Sequence, residues 1–164
     1  MQAVRTREAT EKDIPLIQQL IKTVWPKAYS HILTEAQTEY MLEMMYSDAS
    51  LTRQMTTGHH FLIAETGGRP IAFASWEKKP DDLCKLHKIY VLPLTQGSGV
   101  GKQLIWFIRD KAVAEGCKRI ALNVNRHNSA KSFYEKLGFV AIAEEDIDIG
   151  NGYFMNDYVM QMEI

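Results

Sequence analysis

A glycine-rich segment from Gln96 to Lys102 (QGSGVGK) constrains the fold more than any other part of the chain, because it joins two stretches of different character. Before it, residues 83–92 (LCKLHKIYVL) are typical of a long strand; after it, residues 99–115 show helical apolar spacing. A further strand is predicted at residues 119–124. A strand, a helix and a strand in succession require a right-handed crossover, which makes the two strands parallel in one sheet.

The remaining elements follow from hydrophobic periodicity and from capping and turn residues. Strands are predicted at residues 4–7, 60–66, 70–76, 140–149 and 153–162, and helices after Thr10, after Thr34, at residues 50–55 and at residues 128–137. The glycines between the paired strands indicate hairpins, so most neighbours are antiparallel. We therefore predict one α/β domain over residues 1–164, with a mixed sheet and helices on its faces.

Composition excludes several classes of protein. The 164 residues suit one domain, and 19 Lys and Arg against 20 Asp and Glu argue against a nucleic-acid partner. No apolar run approaches the ~20 residues of a membrane helix, and the N-terminal segment lacks the apolar core of a signal peptide. We therefore predict a cytoplasmic protein with no membrane partner. Cys84 and Cys117 do not have metal-site spacing and are expected to be free thiols; no metal is predicted.

The loop before the long helix has the features of an anion site. Free amide groups at a helix start, together with the helix dipole, attract a phosphate, and glycines let it approach the backbone closely. A tight turn without a ligand is the alternative. A dinucleotide fingerprint would need glycine at Lys102, and a Walker A loop would need glycine at Gln96 and Ser or Thr at Gln103. Both of those motifs therefore fail.

The pattern that remains, Gln-x-x-Gly-x-Gly after residues 89–93 (IYVLP), resembles the GNAT superfamily of acyl-CoA-dependent N-acetyltransferases. Residues 122–124 (LNV) and 133–139 (FYEKLGF) are similar to a second block of that family, in the same order. Residues 152–162 resemble a bacterial branch that includes polyamine and spermidine acetyltransferases. The resemblance implies a mostly antiparallel sheet of about seven strands, in which a splayed parallel pair holds acyl-CoA.

The resemblance also implies where acetyl-CoA, the expected co-substrate, would bind. It would lie between strands 83–92 and 119–124, with its pyrophosphate on the loop amides and its pantetheine arm paired with strand backbone. Asn128 matches a family position that contacts the cofactor, and its alternative role is a helix cap. The cofactor-binding residues implied in this way are Ile89, Tyr90, Val91, Gln96, Gly97, Ser98, Gly99, Val100, Gly101, Lys102, Asn128 and Tyr134.

The implied reaction is direct attack of an amine on the thioester in a ternary complex. Tyr134 occupies the family's general-acid position, where it would protonate the leaving thiolate; packing within its helix is the alternative. Some relatives carry a glutamate two residues before Ile89, and this chain has His87 there. An imidazole with a pKa of about 6.5 can accept the amine proton at neutral pH. Lys85 and Lys88 would weaken that base if they lie close to it, and a water chain could replace it.

The acceptor is expected to be a small-molecule or peptide amine. Trp25 and Tyr29 are predicted to contact it, although core packing explains Trp25 equally well. The acidic run at residues 144–148 would attract a cationic amine, or is a solvated surface. His59-His60 lacks further ligands at metal spacing and is interpreted as a strand edge.

Two further possibilities concern assembly and activity. An edge strand near the C-terminal end could pair between two chains, so a homodimer is possible. A non-catalytic CoA-binding regulatory domain is the main alternative to an enzyme. A nucleotide or dinucleotide enzyme is a weaker one.

Overall fold

The computed structural model describes residues 3–164. Within that range the chain forms seven strands and five helices: β1 (Val4–Glu8), α1 (Ile14–Tyr29), α2 (Glu35–Tyr46), α3 (Asp48–Thr56), β2 (His60–Thr66), β3 (Arg69–Lys79), β4 (Leu83–Val91), α4 (Val100–Ala114), β5 (Arg119–Asn125), α5 (Ala130–Leu137), β6 (Val140–Gly150) and β7 (Tyr153–Glu163). Every predicted element is present. Strand β3 continues three residues past its predicted end, and the α-helix predicted after Thr10 begins at Ile14, after a 3₁₀ turn at Glu11–Asp13.

Local hydrogen bonds explain several of the helix boundaries. The Thr34 hydroxyl accepts from the Gln37 amide at the start of α2, as its position predicts. At α5 the residue at the N-cap position is Ser129, while the predicted cap, Asn128, accepts from the Ala130 amide at 2.9 Å. Asn128 therefore shapes the turn before α5, and Ser129 occupies the N-cap position that was predicted for Asn128.

The seven strands form a single sheet in the order β1-β2-β3-β4-β5-β7-β6, and only β4 and β5 are parallel. Helices α4 and α5 pack on one face, where Leu104, Ile108 and Phe139 are buried. Helices α1 to α3 pack on the other face, around Ile17 and Leu51. The predicted fold class, a mixed and mostly antiparallel sheet with helices on both faces, is confirmed.

The parallel strands separate halfway along their length. Pairing between β4 and β5 runs from Leu83 opposite Arg119 to Leu86 opposite Leu122. Strand β4 continues to Val91 paired only with β3, and β5 continues paired only with β7. The two strands therefore diverge as a V, and their facing backbones are unpaired with each other beyond that point.

A β-bulge lies where the strands begin to diverge. Ser75 of β3 pairs with Lys88 and the next residue, Trp76, pairs with Leu86, so His87 is an extra residue in β4. A bulge changes which face successive side chains occupy. Leu86 accordingly packs with the α4 side, while Lys88 lies against Tyr46 on the α1–α3 side.

Strand β6 is the edge strand at the C-terminal end of the sheet. Its first residues, Val140 and Ile142, are 60% and 55% exposed, and the acidic run at residues 144–148 follows them. The homodimer remains a prediction. Cys84 and Cys117 are buried free thiols, as expected. No helix among residues 3–164 is long and apolar enough to cross a membrane.

Candidate active site

The glycine loop delivers backbone amides to the mouth of the V. Gly97 and Gly99 have φ values of +84° and +87°, and no heavy atom lies within 4 Å of the position that a Cβ would occupy. The first hydrogen bond associated with α4 runs from the Gln103 amide to the Gly99 carbonyl at 3.0 Å. The amides of the first turn therefore have no helical acceptor and, with the helix dipole, form an anion site.

The side chains of Gln96 and Ser98 stabilise the loop itself, and Gly101 allows close packing of the helix that follows the loop. Gln96 donates its side-chain amide to the Val91 carbonyl at 3.2 Å, which ties the loop to the end of β4. The Ser98 hydroxyl donates to the Thr95 carbonyl. A Cβ on Gly101 would lie 3.2 Å from Phe133 Cζ, so this glycine permits α4 to approach α5 closely. The loop thus presents its backbone, rather than its side chains, to a ligand.

The free side of β4 fits an amide-rich ligand arm. Ile89, Tyr90 and Val91 are held by β3 on one side, through pairs with Ala74, Phe73 and Ala72. On the side facing β5, the backbone groups beyond Leu86 have no strand partner. Such groups are strong hydrogen-bonding partners for an added extended chain. The strand and the loop together therefore suit the pantetheine and pyrophosphate of coenzyme A.

Tyr29 lies at the V on the α1 side. Its hydroxyl is 3.3 Å from the Tyr90 hydroxyl of β4. Burial raises the pKa of Tyr29, and the polar groups of Tyr90 and Asn128 offset part of that rise. Trp25 packs 4.9 Å behind the Tyr29 ring and is 1% exposed. The geometry therefore places Tyr29 beside the V, while Trp25 belongs to the core and supports it.

Tyr134 lies in α5 close to the same tyrosines. It is 8% exposed and packs edge-on against Phe133 and Phe139, with ring centroids 5.3 Å and 5.8 Å away. Burial, and then the nearby Tyr29 hydroxyl, raise the pKa of Tyr134 well above its ordinary value. The phenol therefore keeps its proton at every pH at which an amine acceptor would react.

His87 contacts two groups that the sequence analysis did not connect with it. Its Nε2 lies 2.7 Å from Glu77 Oε1, and His59 Nε2 lies 3.3 Å from the same oxygen. The two imidazole rings stack with centroids 4.3 Å apart. His60 begins β2, as the strand-edge interpretation predicts, but the expectation that the His59-His60 pair lacks further ligating groups is wrong, because Glu77 and His87 lie beside His59. The extra residue in β4 brings His87 beside β3.

Burial dominates the electrostatics of this histidine pair. It lowers the pKa of His87 to about 4, although the hydrogen bond with Glu77 acts in the opposite direction. Burial also lowers the pKa of His59. Both imidazoles are therefore neutral at pH 7, and each can donate Nε2–H to the ionised Glu77 carboxylate. A neutral His87 with so low a pKa is a weak proton acceptor.

The same three side chains have metal-ligating atoms within 4.8 Å of one another. The rings of His59 and His87 are parallel to within 9°, so one ion cannot lie in both ring planes as imidazole ligation requires. Lys79 Nζ, 3.0 Å from Glu77 Oε1, already supplies a positive charge there. In this arrangement Glu77 is hydrogen-bonded to His87 and lies 3.3 Å from His59 Nε2, so the three side chains form a polar cluster.

We expect the protein to lose stability as pH falls from about 6.5 to 4. In that window the unfolded chain binds a proton at His87, whose ordinary pKa is about 6.5, before the folded chain does, so acid favours unfolding. The loss in the free energy of unfolding should be about 2–3 kcal/mol for His87 alone.

Urea denaturation at pH 7 and at pH 4.5 measures this loss of stability. His87→Gln should lose clearly less stability than wild type, whereas His31→Gln, at an exposed site, should behave as wild type. Equal losses of stability in all three proteins would contradict the conclusion that protonation of His87 causes the loss in acid.

A set of polar side chains on β4, β5 and β7 lies where the two parallel strands begin to diverge. Asn123 of β5 accepts a hydrogen bond from Lys85 Nζ of β4 and donates one to Asp157 Oδ2 of β7 at 3.3 Å. Asp157 is 2% exposed, and burial raises its pKa; burial lowers the pKa of Lys85. The resemblance places Asp157 near the last hairpin, which lines the acceptor site in the family, but gives it no contact with Asn123. The available signal was a charged residue at an inward position of a predicted strand.

A diverging parallel strand pair with a glycine-rich helix start at its mouth offers backbone groups to an extended arm and to an anion. Residues 17–139 match the model of the acetyltransferase (GNAT) family. The chain belongs to this family, and the class expected from the resemblance, an acyl-CoA-dependent N-acetyltransferase, is confirmed at the family level.

Individual relatives agree with this assignment. An uncharacterized N-acetyltransferase of Mycobacterium tuberculosis is 33% identical over 104 residues, which cover 63% of this chain and 66% of that protein. Another, from Escherichia coli, is 28% identical over 137 residues, covering 81% and 80%. The fold is similar to that of the PaiA N-acetyltransferase from Thermoplasma acidophilum solved with coenzyme A, with a TM-score of 0.83, 23% identity, and coverage of 99% and 100%.

Proposed function

We propose that this protein transfers the acetyl group of acetyl-CoA to a primary amine by direct attack in a ternary complex. The observation that carries the proposal is the free side of β4 beyond Leu86, which leads directly into the amide-rich helix start at Gly97 to Gly101. One continuous stretch of backbone thus offers a strand partner to an amide-rich arm and an anion site to a pyrophosphate.

Acetyl-CoA supplies the reactive acyl carbon and a sulfur leaving group. The chain's own groups then have separate tasks. The backbone of Ile89 to Val91 holds the arm and places an N–H near the acyl oxygen, where negative charge develops. Tyr134 carries the proton that the leaving sulfur needs. Tyr29, joined to Tyr90 across the V, borders the space that the amine enters.

A base role for His87 remains a prediction. The hydrogen bond to Glu77 and the pKa of about 4 make His87 a weak acceptor directed towards β3. If His87 were the base, His87→Gln would abolish most of the turnover. We expect a smaller effect, within about tenfold, because Glu77 of β3 already engages Nε2 of His87.

The proposed acceptor is a cationic amine, either a small molecule or a peptide N-terminus. Strand β6 places Glu144, Glu145 and Asp146 beside β7, and Arg126 pairs with Glu144 and Asp146. Glu145 makes none of these ion pairs and is exposed opposite Asp157. An alkylammonium, with a pKa of about 10.4, is positively charged at neutral pH and would be attracted to this side of the sheet.

The test combines calorimetry with detection of free thiol. We expect acetyl-CoA to bind, ATP and NAD not to compete with it, and one class in a panel of spermidine, aminoglycosides, amino acids and short peptides to release the thiol. Binding without release from any amine or cell extract would favour the non-catalytic regulatory alternative. No binding at all would overturn the proposed function.

A further inference from the structure

Asp157 is a buried carboxylate with incomplete hydrogen bonding. Its Oδ2 accepts one long bond, 3.3 Å, from Asn123, and its Oδ1 has no hydrogen-bond partner among residues 3–164. A carboxylate has about four acceptor positions, so Oδ1 can still accept a hydrogen bond from a ligand. A side chain that is 2% exposed therefore retains an unused acceptor atom.

No cation forms a direct ion pair with this carboxylate within the described part of the chain. Lys85 of β4 binds Asn123 instead, and Arg126 directs its guanidinium to Asp146 and, at 3.5 Å, to the backbone carbonyl of Asp157. Glu145 of β6 adds a negative charge, and Tyr29 of α1 is close enough to feel the charge of Asp157. Lys85 and Arg126 favour the ionised form of Asp157 from a distance, while burial and Glu145 favour the neutral form.

The position of Asp157 relates it to the V. It pairs with Asn125 of β5, and Asn123, its hydrogen-bond partner, follows the last β5 residue that pairs with β4. Tyr158 and Met160 of β7 pack with the core on the α4 side, so strand alternation places Asp157 on the α1 side of the sheet, where Tyr29 meets Tyr90. Asp157 thus lies across β5 from the free side of β4.

We propose that Asp157 Oδ1 is the proton acceptor for the attacking amine, held in place by Asn123 and Lys85. This inference rests on the proposed function. The bound ammonium first loses one proton to solvent. The neutral amine then donates an N–H to Oδ1, which directs the nitrogen lone pair at the acyl carbon. As the N–C bond forms, the nitrogen becomes positive and its proton passes to Oδ1. The C–S bond then breaks with its electron pair on sulfur, and Tyr134 protonates the sulfur. Solvent exchange restores both side chains, and the products are the amide and the free thiol.

The choice of Asp157 over His87 follows from their surroundings. His87 Nε2 is already engaged by Glu77 at 2.7 Å, on the β3 side of β4. Burial raises the pKa of Asp157, which makes it a stronger base than an exposed aspartate. Lys85 keeps the carboxylate ionised without blocking Oδ1, because its ammonium donates to Asn123.

The experiment compares the pH dependence of kcat/KM for wild type and Asp157→Asn with the acceptor found in the amine panel. The wild type should lose activity on the acid side as Asp157 becomes protonated. Asp157→Asn should lower kcat about 100- to 1,000-fold. It should also remove the fall of kcat/KM at low pH, which we call the acid limb. Asp157→Glu should recover part of the rate. The affinity for acetyl-CoA should be unchanged in both variants, which shows that they fold.

A second variant separates a catalytic role from a structural one. Lys85→Met removes a positive charge near Asp157, which raises the pKa of the carboxyl and should move the acid limb to higher pH. In an Asp157→Asn background, Lys85→Met should not change the pH dependence of kcat/KM. A rate within threefold of wild type for Asp157→Asn, or an acid limb that persists in it, overturns the inference while the proposed function stands. A wild type that transfers acetyl to no amine overturns both.

Discussion

Replacement of Tyr134 by Phe should lower kcat about 100- to 1,000-fold and leave the affinity for acetyl-CoA unchanged. The hydroxyl is the only group that the substitution removes, and general acid catalysis contributes roughly this factor. The ring itself is needed for packing, since Phe133 and Phe139 contact it at centroid distances of 5.3 Å and 5.8 Å. Phenylalanine preserves these contacts, so the fold should survive.

The control for this experiment is Tyr158→Phe. Tyr158 loses the same hydroxyl from a partly buried ring on β7, where Lys131 Nζ lies 4.8 Å from the ring centroid. Stopped-flow thiol release measures kcat in both variants, and calorimetry measures acetyl-CoA binding. Unchanged turnover in Tyr134→Phe would remove Tyr134 from the mechanism. Equal losses in the two variants would indicate a general effect of losing a tyrosine hydroxyl.

The order of strands and helices could be predicted from the sequence because helix caps, turn glycines and the strand–helix–strand connection involve residues that are near one another in the chain. Gly138 ends α5 with φ of +109°, and the Thr34 cap and the glycines of the hairpins mark further boundaries. The crossover between residues 83–92 and 119–124 determines the parallel pair, since its handedness allows one arrangement. These features depend on neighbours in the chain, and the structure confirms them.

The polar groups beside the V depend on register between distant strands, which sequence patterns do not supply. The bulge at His87 is the clearest case, because one extra residue decides that His87 meets Glu77. Two consecutive polar residues, His87 and Lys88, break the alternation of apolar and polar residues that Cys84, Lys85 and Leu86 begin, and this break was the available signal. The contacts of Asn123 with Lys85 and Asp157 join three strands and have no local signal at all.

Gly99→Ala should weaken acetyl-CoA binding about 10- to 100-fold. Gly99 has φ of +87° at the start of α4, and the space beside it is open. A methyl group there would occupy the volume through which a phosphate approaches the amides of Val100 and Gly101. Hydrogen bonds to a charged group contribute about 1.5–3 kcal/mol each, so losing one of them accounts for that range. Calorimetric titration with acetyl-CoA measures the change.

Gly116→Ala provides a matched control at the other end of the same helix. Gly116 has φ of +86° and equally open surroundings, so an alanine should be strained to the same degree, about 1–2 kcal/mol. Both variants should therefore melt at similarly reduced temperatures without ligand. Added acetyl-CoA should raise the melting temperature of Gly116→Ala as it does for wild type, and should raise that of Gly99→Ala much less, because ligand stabilisation follows affinity. Equal ligand shifts in the two variants would mean that the loop is a tight turn whose glycines serve the backbone alone, and the phosphate would then have to bind elsewhere along β4.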